Sequence, residues 1–411
     1  MSAGQDQMFS YDPFSTAVMA DPLPFYKVLR RDHPVFYAPK YDGYFFSRFE
    51  DILELLSFVD NTFMESEGSL PTPAALRRKN ESAPPLPPPE GPFPLAQRFG
   101  MPIYGEVRRA HVKPLMPHSV AVLTEFVHNL ANTRLDLLLP TGRFNLTRDY
   151  GGLVSSSVVM HLMGMPLDLA GRALDIVNSG TRTDPEFGGF DSAAVAQEAI
   201  RFYMPYVQAR FDAGADDSVP MIDGLFKYRY RGRPLTVPEV AQQCVCAFIG
   251  GIETAPKIVA HGLMALWTHP DQLAAVRSDL DANVPKVSEE MIRYCAPAQW
   301  FMRTVHKRVT VGGQTINPGQ RAFYLVASAL RDEREFDHPD EFRWNRHIPR
   351  TLAFGHGVHF CIGAHVARME IKVMVDAFLR RVPRFGFDMK AAVRQPSSFQ
   401  WGWSTLPVVV G

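Results

Sequence analysis

The stretch Phe354-Gly355-His356-Gly357-Val358-His359-Phe360-Cys361-Ile362-Gly363 sets three glycines around one cysteine. Downstream, Ile362, Val366, Met369, Val373 and Ala377 recur at three- and four-residue steps. That spacing predicts a helix from Cys361 to about Val382 with one apolar stripe against a core. The cysteine then sits at a helix N-terminus, where unpaired backbone N–H groups and the positive end of the dipole favour a thiolate. Gly355, Gly357 and Gly363 let the chain fold tightly around the sulfur. Taken alone, Cys361 between Phe360 and Ile362 reads more readily as a buried core thiol.

A shielded, hydrogen-bonded, anionic sulfur suits haem iron. The whole string, Phe-Gly-x-Gly-x-His-x-Cys-x-Gly, resembles the haem loop of the haem-thiolate monooxygenases, and the chain resembles a cytochrome P450 of the soluble bacterial type. The resemblance implies a mainly α fold with small β-sheets (α+β) and a single large domain over residues 1–411. Haem b would lie between a long central helix and the Cys-loop helix, residues 354–363 forming the haem-thiolate loop. Cys361 is then the metal ligand, Phe354, Gly355 and Gly363 surround it, and O2 is the co-substrate.

The composition agrees with a globular enzyme: 411 residues, 46% apolar, 21% charged, formal net charge zero. It gives no electrostatic case for nucleic acid. Cysteines at 244, 246, 295 and 361 show no paired metal spacing or disulfide framework, which fits a reducing, cytoplasmic setting. No apolar run reaches the ~18 residues that span a bilayer, so no membrane is expected, and Met1 to Tyr11 lacks a signal-peptide layout.

In chain order, a short helix opens at Asp21-Pro22-Leu23-Pro24 and runs through Arg31; Val35 to Tyr37 and Gly43 to Phe46 form a hairpin, and Glu50 to Phe58 a helix. Thr72 to Pro94 is too rich in proline for helix or central strand. The resemblance makes residues 60–100 the substrate-covering loop. Where the family carries a His and, four residues on, an Arg that contact a haem propionate, this chain has Tyr104 and Arg108. Arg108 keeps charge-assisted bonding to a carboxylate, whereas Tyr104 offers one uncharged donor. Helices are read from Ser119 to Leu139, Leu153 to Met163 and Ser192 to Ala213, with a loop from Thr181 to Asp191.

Thr236 and Glu239 form a capping box at the start of a long helix over 236–268, roughly 50 Å of it. Gly250, Gly251 and Pro256 lie in its middle and predict that the helix opens there. Gly250-Gly251-Ile252-Glu253-Thr254 resembles the family's oxygen-activating helix. Gly251, Glu253 and Thr254 are thereby implied as catalytic, with acid and alcohol supplying protons for O–O cleavage. Glu290 and Arg293, on a helix read from Ser288, resemble the family's buried Glu-x-x-Arg, with Arg346 as third, structural partner. Short strands are read at Val309 to Val311, Gln314 to Ile316 and Ala322 to Val326. Arg303 and His359 match positions that pair with haem propionates.

Distal positions of relatives fall on Cys246, Ile249, Gly250, Ala298, Trp300, Phe301, Phe399, Gln400 and Trp401, with Phe93 and Phe99 joining from the proline-rich loop. So many aromatics suit a small planar substrate, oxidised by hydroxylation or O-dealkylation. Alternatives are a terpene or polyketide intermediate, a peroxygenase and a non-catalytic haem-binding sensor. The chain carries no flavin, nicotinamide or Fe–S fingerprint. Electrons are therefore expected from a separate ferredoxin or flavodoxin with an NAD(P)H-dependent reductase, docking near His356, Arg368, Arg109 and Lys113.

Overall fold

Alternation of apolar residues sets the first layer. The antiparallel hairpin of β1 (Val35–Ala38) and β2 (Gly43–Phe46) pairs Val35 with Phe46, and Asp42 turns the chain at φ 43°. Three further strands complete a mixed sheet in the order β1-β2-β5-β4-β3: β3 (Phe63–Met64), β4 (Phe301–Val305) and β5 (Arg321–Tyr324). Only the β2–β5 pairing is parallel. Met64 stands opposite Thr304, so Glu65 and Arg303 are the next residues along the edge pair. The computed structural model describes residues 9–183 and 191–411, and most of the loop predicted at Thr181 to Asp191 lies outside the described residues.

The helices that frame the site are α1 (Ile103–Val112), α2 (Pro117–Leu138), α3 (Leu153–Leu162), α4 (Ser192–Ala213), α5 (Val237–Trp267), α6 (Leu280–Tyr294) and α7 (Ala364–Arg381). At its 31 residues, α5 is the axis of the molecule. Its Val240, Phe248, Ile252, Val259, Leu263 and Leu266 are fully buried, each worth about 1.5–3 kcal/mol of apolar burial. They pack against α3, α4 and α7 and against a π-turn at Leu146–Gly152. The capping box is present as predicted, Thr236 donating its N–H to Glu239 Oε2 at 2.8 Å.

Four predicted boundaries shift. The Cys-loop helix begins at Ala364 rather than Cys361: Gly363 caps it, and Cys361 sends its N–H back to Phe354 O at 2.8 Å. α6 starts at Leu280, eight residues before Ser288, because Asp279 accepts the Ala282 N–H and burial of Val284, Val287 and Met291 outweighs the interior Pro285. The proline-rich stretch contains a short helix, Pro73–Arg77, since proline is tolerated in a first turn and Thr72 caps it. The fourth shift concerns α5, which stays helical through Gly250 and Pro256 instead of opening. Pro256 is accommodated by Gly151 of the π-turn, where any Cβ would come within 3.0 Å of Pro256 Cα.

The rest of the proline-rich cover has no regular structure between Asn80 and Leu95 and is tied to α5 by side chains. Glu239 accepts the Phe93 N–H at 2.6 Å, and Gln243 accepts the Ala96 N–H at 2.9 Å.

Candidate active site

Gly355 and Gly357 take φ of 68° and 66°, which aims the loop back over itself before Cys361. At Gly357 a Cβ would lie 2.2 Å from Leu56 O, so no other residue fits. Cys361 is accessible although Phe354 and Ala364 on either side are buried. Cys246 and Gly250 are likewise accessible in the middle of α5, where most neighbouring residues are buried. A Cβ added at Gly250 or at Gly363 would meet nothing within 4 Å.

Free of metal, the Cys361 thiol is not the thiolate expected of a helix start. Burial pushes it up from its ordinary value, and the Gly363 N–H, Arg108 and Arg368 only partly offset this. Deprotonation must come with the metal, since a coordinated thiol loses its proton outright.

One rim of this cradle is a cluster of donors. Arg108 Nη2 donates to Phe360 O at 2.6 Å, and its Nη1 meets Tyr104 Oη at 3.2 Å. The Tyr104 ring stacks on His359 at 4.5 Å, and burial pushes its phenol up to about 12. His359 is held well below its usual range by burial, with Arg303 and Arg108 adding to the effect. Arg303 lies over the Tyr324 ring and pairs with Glu65 at 2.9 Å. Glu65 also meets His359 Nδ1 at 3.3 Å. Sequence reasoning missed Glu65, which belongs to no motif and reaches its partner only through the edge pairing of β3 with β4.

Along α5, Thr254 Oγ1 donates to Gly250 O at 2.9 Å. Glu253 turns to another side. Its Oε1 pairs with Lys257 and accepts from Thr181 Oγ1 at 2.8 Å, while its buried Oε2 has no partner. Lys257, also missed, is fully enclosed, and burial holds it below the ordinary ammonium range despite Glu253.

Glu290, Arg293 and Arg346 come together and are buried, as the resemblance implied. Both Arg293 contacts to Glu290 measure 2.7 Å, and Arg346 Nε reaches the same carboxylate at 3.1 Å. Arg293 continues to Leu330 O and Pro339 O, tying α6 to the segment before the Cys loop.

The predicted pocket aromatics divide. Phe301 and Phe399 pack edge to face at 5.2 Å, and Ala298 bridges Gln400. Trp300 touches Phe399 edge to face at 6.1 Å, but most of its ring is buried against Phe14 and Phe323 in the N-terminal core, and it donates to Ser398 O. Trp401 instead lies against His261 and Arg394. Phe93 and Phe99 stack on each other and pack at an angle against Tyr230, held there by the bond to Glu239.

An accessible cysteine, a cradle bounded by glycines and a rim of guanidinium, imidazole and phenol donors fit haem: a flat apolar body, two carboxylates and one thiolate position. The family model described as Cytochrome P450 matches residues 188–408. The chain is 30% identical to the cytochrome P450 monooxygenase PikC of Streptomyces venezuelae over 75% of this chain and 74% of that one.

The chain belongs to the cytochrome P450 family.

A P450 from Mycobacterium bovis, putative cytochrome P450 123, is 28% identical over 97% of this chain and 96% of its own. In fold, the Mycobacterium marinum P450 CYP268A2, solved with pseudoionone, superposes with a TM-score of 0.82 at 22% identity over 98% and 100% of the two chains. This P450 is a haem-thiolate monooxygenase that uses O2. Among the described residues, no helix is long and apolar enough to cross a membrane.

Proposed function

We propose that this P450, acting as one domain, inserts one oxygen atom of O2 into a small hydrophobic, ring-bearing substrate, by hydroxylation or O-dealkylation. Haem, when bound, supplies the iron that activates O2. Cys361 would hold the iron through its sulfur, and the accessibility of that thiol beside Arg108 is the observation that carries the reading. Phe354, Gly355 and Gly363 hold the loop around the sulfur. Arg303, Arg108, Tyr104 and His359 receive the propionates as charged and neutral donors.

On α5, Gly250 keeps the helix backbone bare, Gly251 packs against Val159 of α3, and Thr254 supplies the hydroxyl. Glu253, turned toward Lys257 and Thr181, would join the relay through its buried, unpartnered Oε2. Cys246, Ile249, Ala298, Phe301 and Phe399 supply an apolar wall, and Gln400, buried with its Oε1 unpartnered, supplies an acceptor for one hydroxyl or N–H. Electrons come from a separate ferredoxin or flavodoxin with its NAD(P)H-dependent reductase. Arg109, Lys113 and His356 are exposed for that partner, while Arg368 is engaged by Glu289.

The test is the reduced carbon-monoxide difference spectrum followed by titration with small aromatic ethers and phenols. A thiolate-type Soret band that Cys361→Ala abolishes, and a low- to high-spin shift with these ligands, are expected. Survival of the band in Cys361→Ala would remove the ligand assignment. A spin shift with pseudoionone and none with aromatics would move the substrate to the class held by the Mycobacterium marinum neighbour.

A further inference from the structure

Glu65 sits where the haem carboxylates are expected. Its Oε1 is 2.9 Å from Arg303 Nη1 and 3.3 Å from His359 Nδ1, and the residue is 7% exposed. The groups facing it are Arg303 from β4, His359 from the Cys loop, Tyr104 from α1, Tyr324 from β5 and Cys246 from α5. Only Arg303 among them carries a fixed charge, and Arg108 stands beside Tyr104 as the second guanidinium of the rim. Burial pushes the Glu65 carboxyl up and Arg303 draws it back.

The inference rests on the reading above, in which Arg303, Arg108, Tyr104 and His359 receive the two propionates. Three carboxyl groups then meet two guanidiniums out of water. An uncompensated buried charge is relieved by protonation rather than carried, and carboxylates sharing a site cannot all ionise. We propose that Glu65 takes up one proton from solvent as haem binds and donates it, as an O–H···O⁻ hydrogen bond, to a haem propionate. The chain then grips haem through an acid–carboxylate pair as well as through its cations. This explains why a carboxyl occupies a basin otherwise made of donors.

Linkage sets the sign. Uptake of one proton by Glu65 weakens haem binding as pH rises, by up to about tenfold per pH unit, and opposes the proton that Cys361 releases on ligation, so the Glu65 part is the difference in slope between the unaltered protein and a variant without the carboxyl. Glutamine keeps the hydrogen-bond donor and removes the titration.

The experiment measures haem transfer from the holoenzyme to excess apomyoglobin across pH, with the carbon-monoxide difference spectrum taken on each sample. With rising pH, transfer from the unaltered protein is expected to become more favourable relative to transfer from Glu65→Gln, which holds haem better at alkaline pH, and Glu65→Ala is expected to share the slope of Glu65→Gln with transfer raised throughout. The same pH slope in Glu65→Gln or Glu65→Ala as in the unaltered protein would overturn the proposal. So would weak haem retention by Glu65→Gln at every pH, which would make Glu65 an anion needed by Arg303. Loss of the thiolate band from the unaltered protein would instead strike the haem-site reading itself.

Discussion

Glu253 and Lys257, one helical turn apart on α5, form an ion pair in which each side chain is 2% exposed. The pair lies on the side of the helix shared with Thr181, while the next residue, Thr254, bonds its own helix at Gly250. A buried pair is costly to break by halves, because the survivor is left charged out of water.

Lys257→Met is therefore expected to destabilise the protein by about 3–5 kcal/mol, and the double substitution Glu253→Gln with Lys257→Met to recover most of the loss. Urea unfolding of the unaltered protein and the two variants checks this. A double variant no more stable than the single one would show that the pair is not an isolated unit.

Thr254→Val removes the hydroxyl and keeps the shape. With proton delivery impaired, product formed per NAD(P)H is expected to fall, by up to the roughly hundredfold that a positioned proton donor contributes, with the electrons recovered as hydrogen peroxide. The carbon-monoxide band should not move, since Thr254 makes no contact with the Cys loop. Unchanged coupling would take Thr254 out of the relay.

Glu370 of α7 is buried, accepts a hydrogen bond from Ser155 Oγ at 2.6 Å, and is pushed up to about 7 by burial. Its carboxyl stays protonated in the fold at pH values where the unfolded chain has ionised it. Stability therefore falls as pH rises from about 4.5 to about 7 and is level above, a loss of up to about 3 kcal/mol. Glu370→Gln should abolish that slope and be the more stable form at pH 8. Denaturant midpoints across this range decide; parallel slopes would mean that the group is ionised in the fold.

Glu239 both caps α5 and accepts the Phe93 N–H. Glu239→Ala is expected to cost about 1–2 kcal/mol in capping and to free the proline-rich cover. Trypsin should then cut faster after Arg78 and Lys79 while the thiolate band persists. Equal cleavage rates would show that other contacts hold the cover.

Local signals carried much of the fold. The cysteine loop, the hairpin at Asp42 and the capped long helix are written in neighbouring residues, and the structure holds all three. The Glu290–Arg293–Arg346 cluster was legible, burial included, through its place relative to the cysteine loop and the resemblance that place carries, since the Glu-x-x-Arg spacing by itself is common. Glu65 and Lys257 left no local mark, because Glu65 meets Arg303 across 238 positions of chain and Lys257 looks like any helical lysine. The aromatic residues misled for the same reason. Trp300 and Trp401 alternate with pocket residues, and only the packing of Phe14, Phe323 and Arg394 decides which side each one takes.

The fit of Pro256 against Gly151 gives the chain an order in which it can change. With Pro256 in place, even an alanine at 151 meets backbone that cannot step aside. Replacing Pro256 leaves a Cα in the same place, so the constraint on 151 stays. Descendants of this sequence can therefore vary position 256 first, and position 151 only once α5 and the π-turn have moved apart.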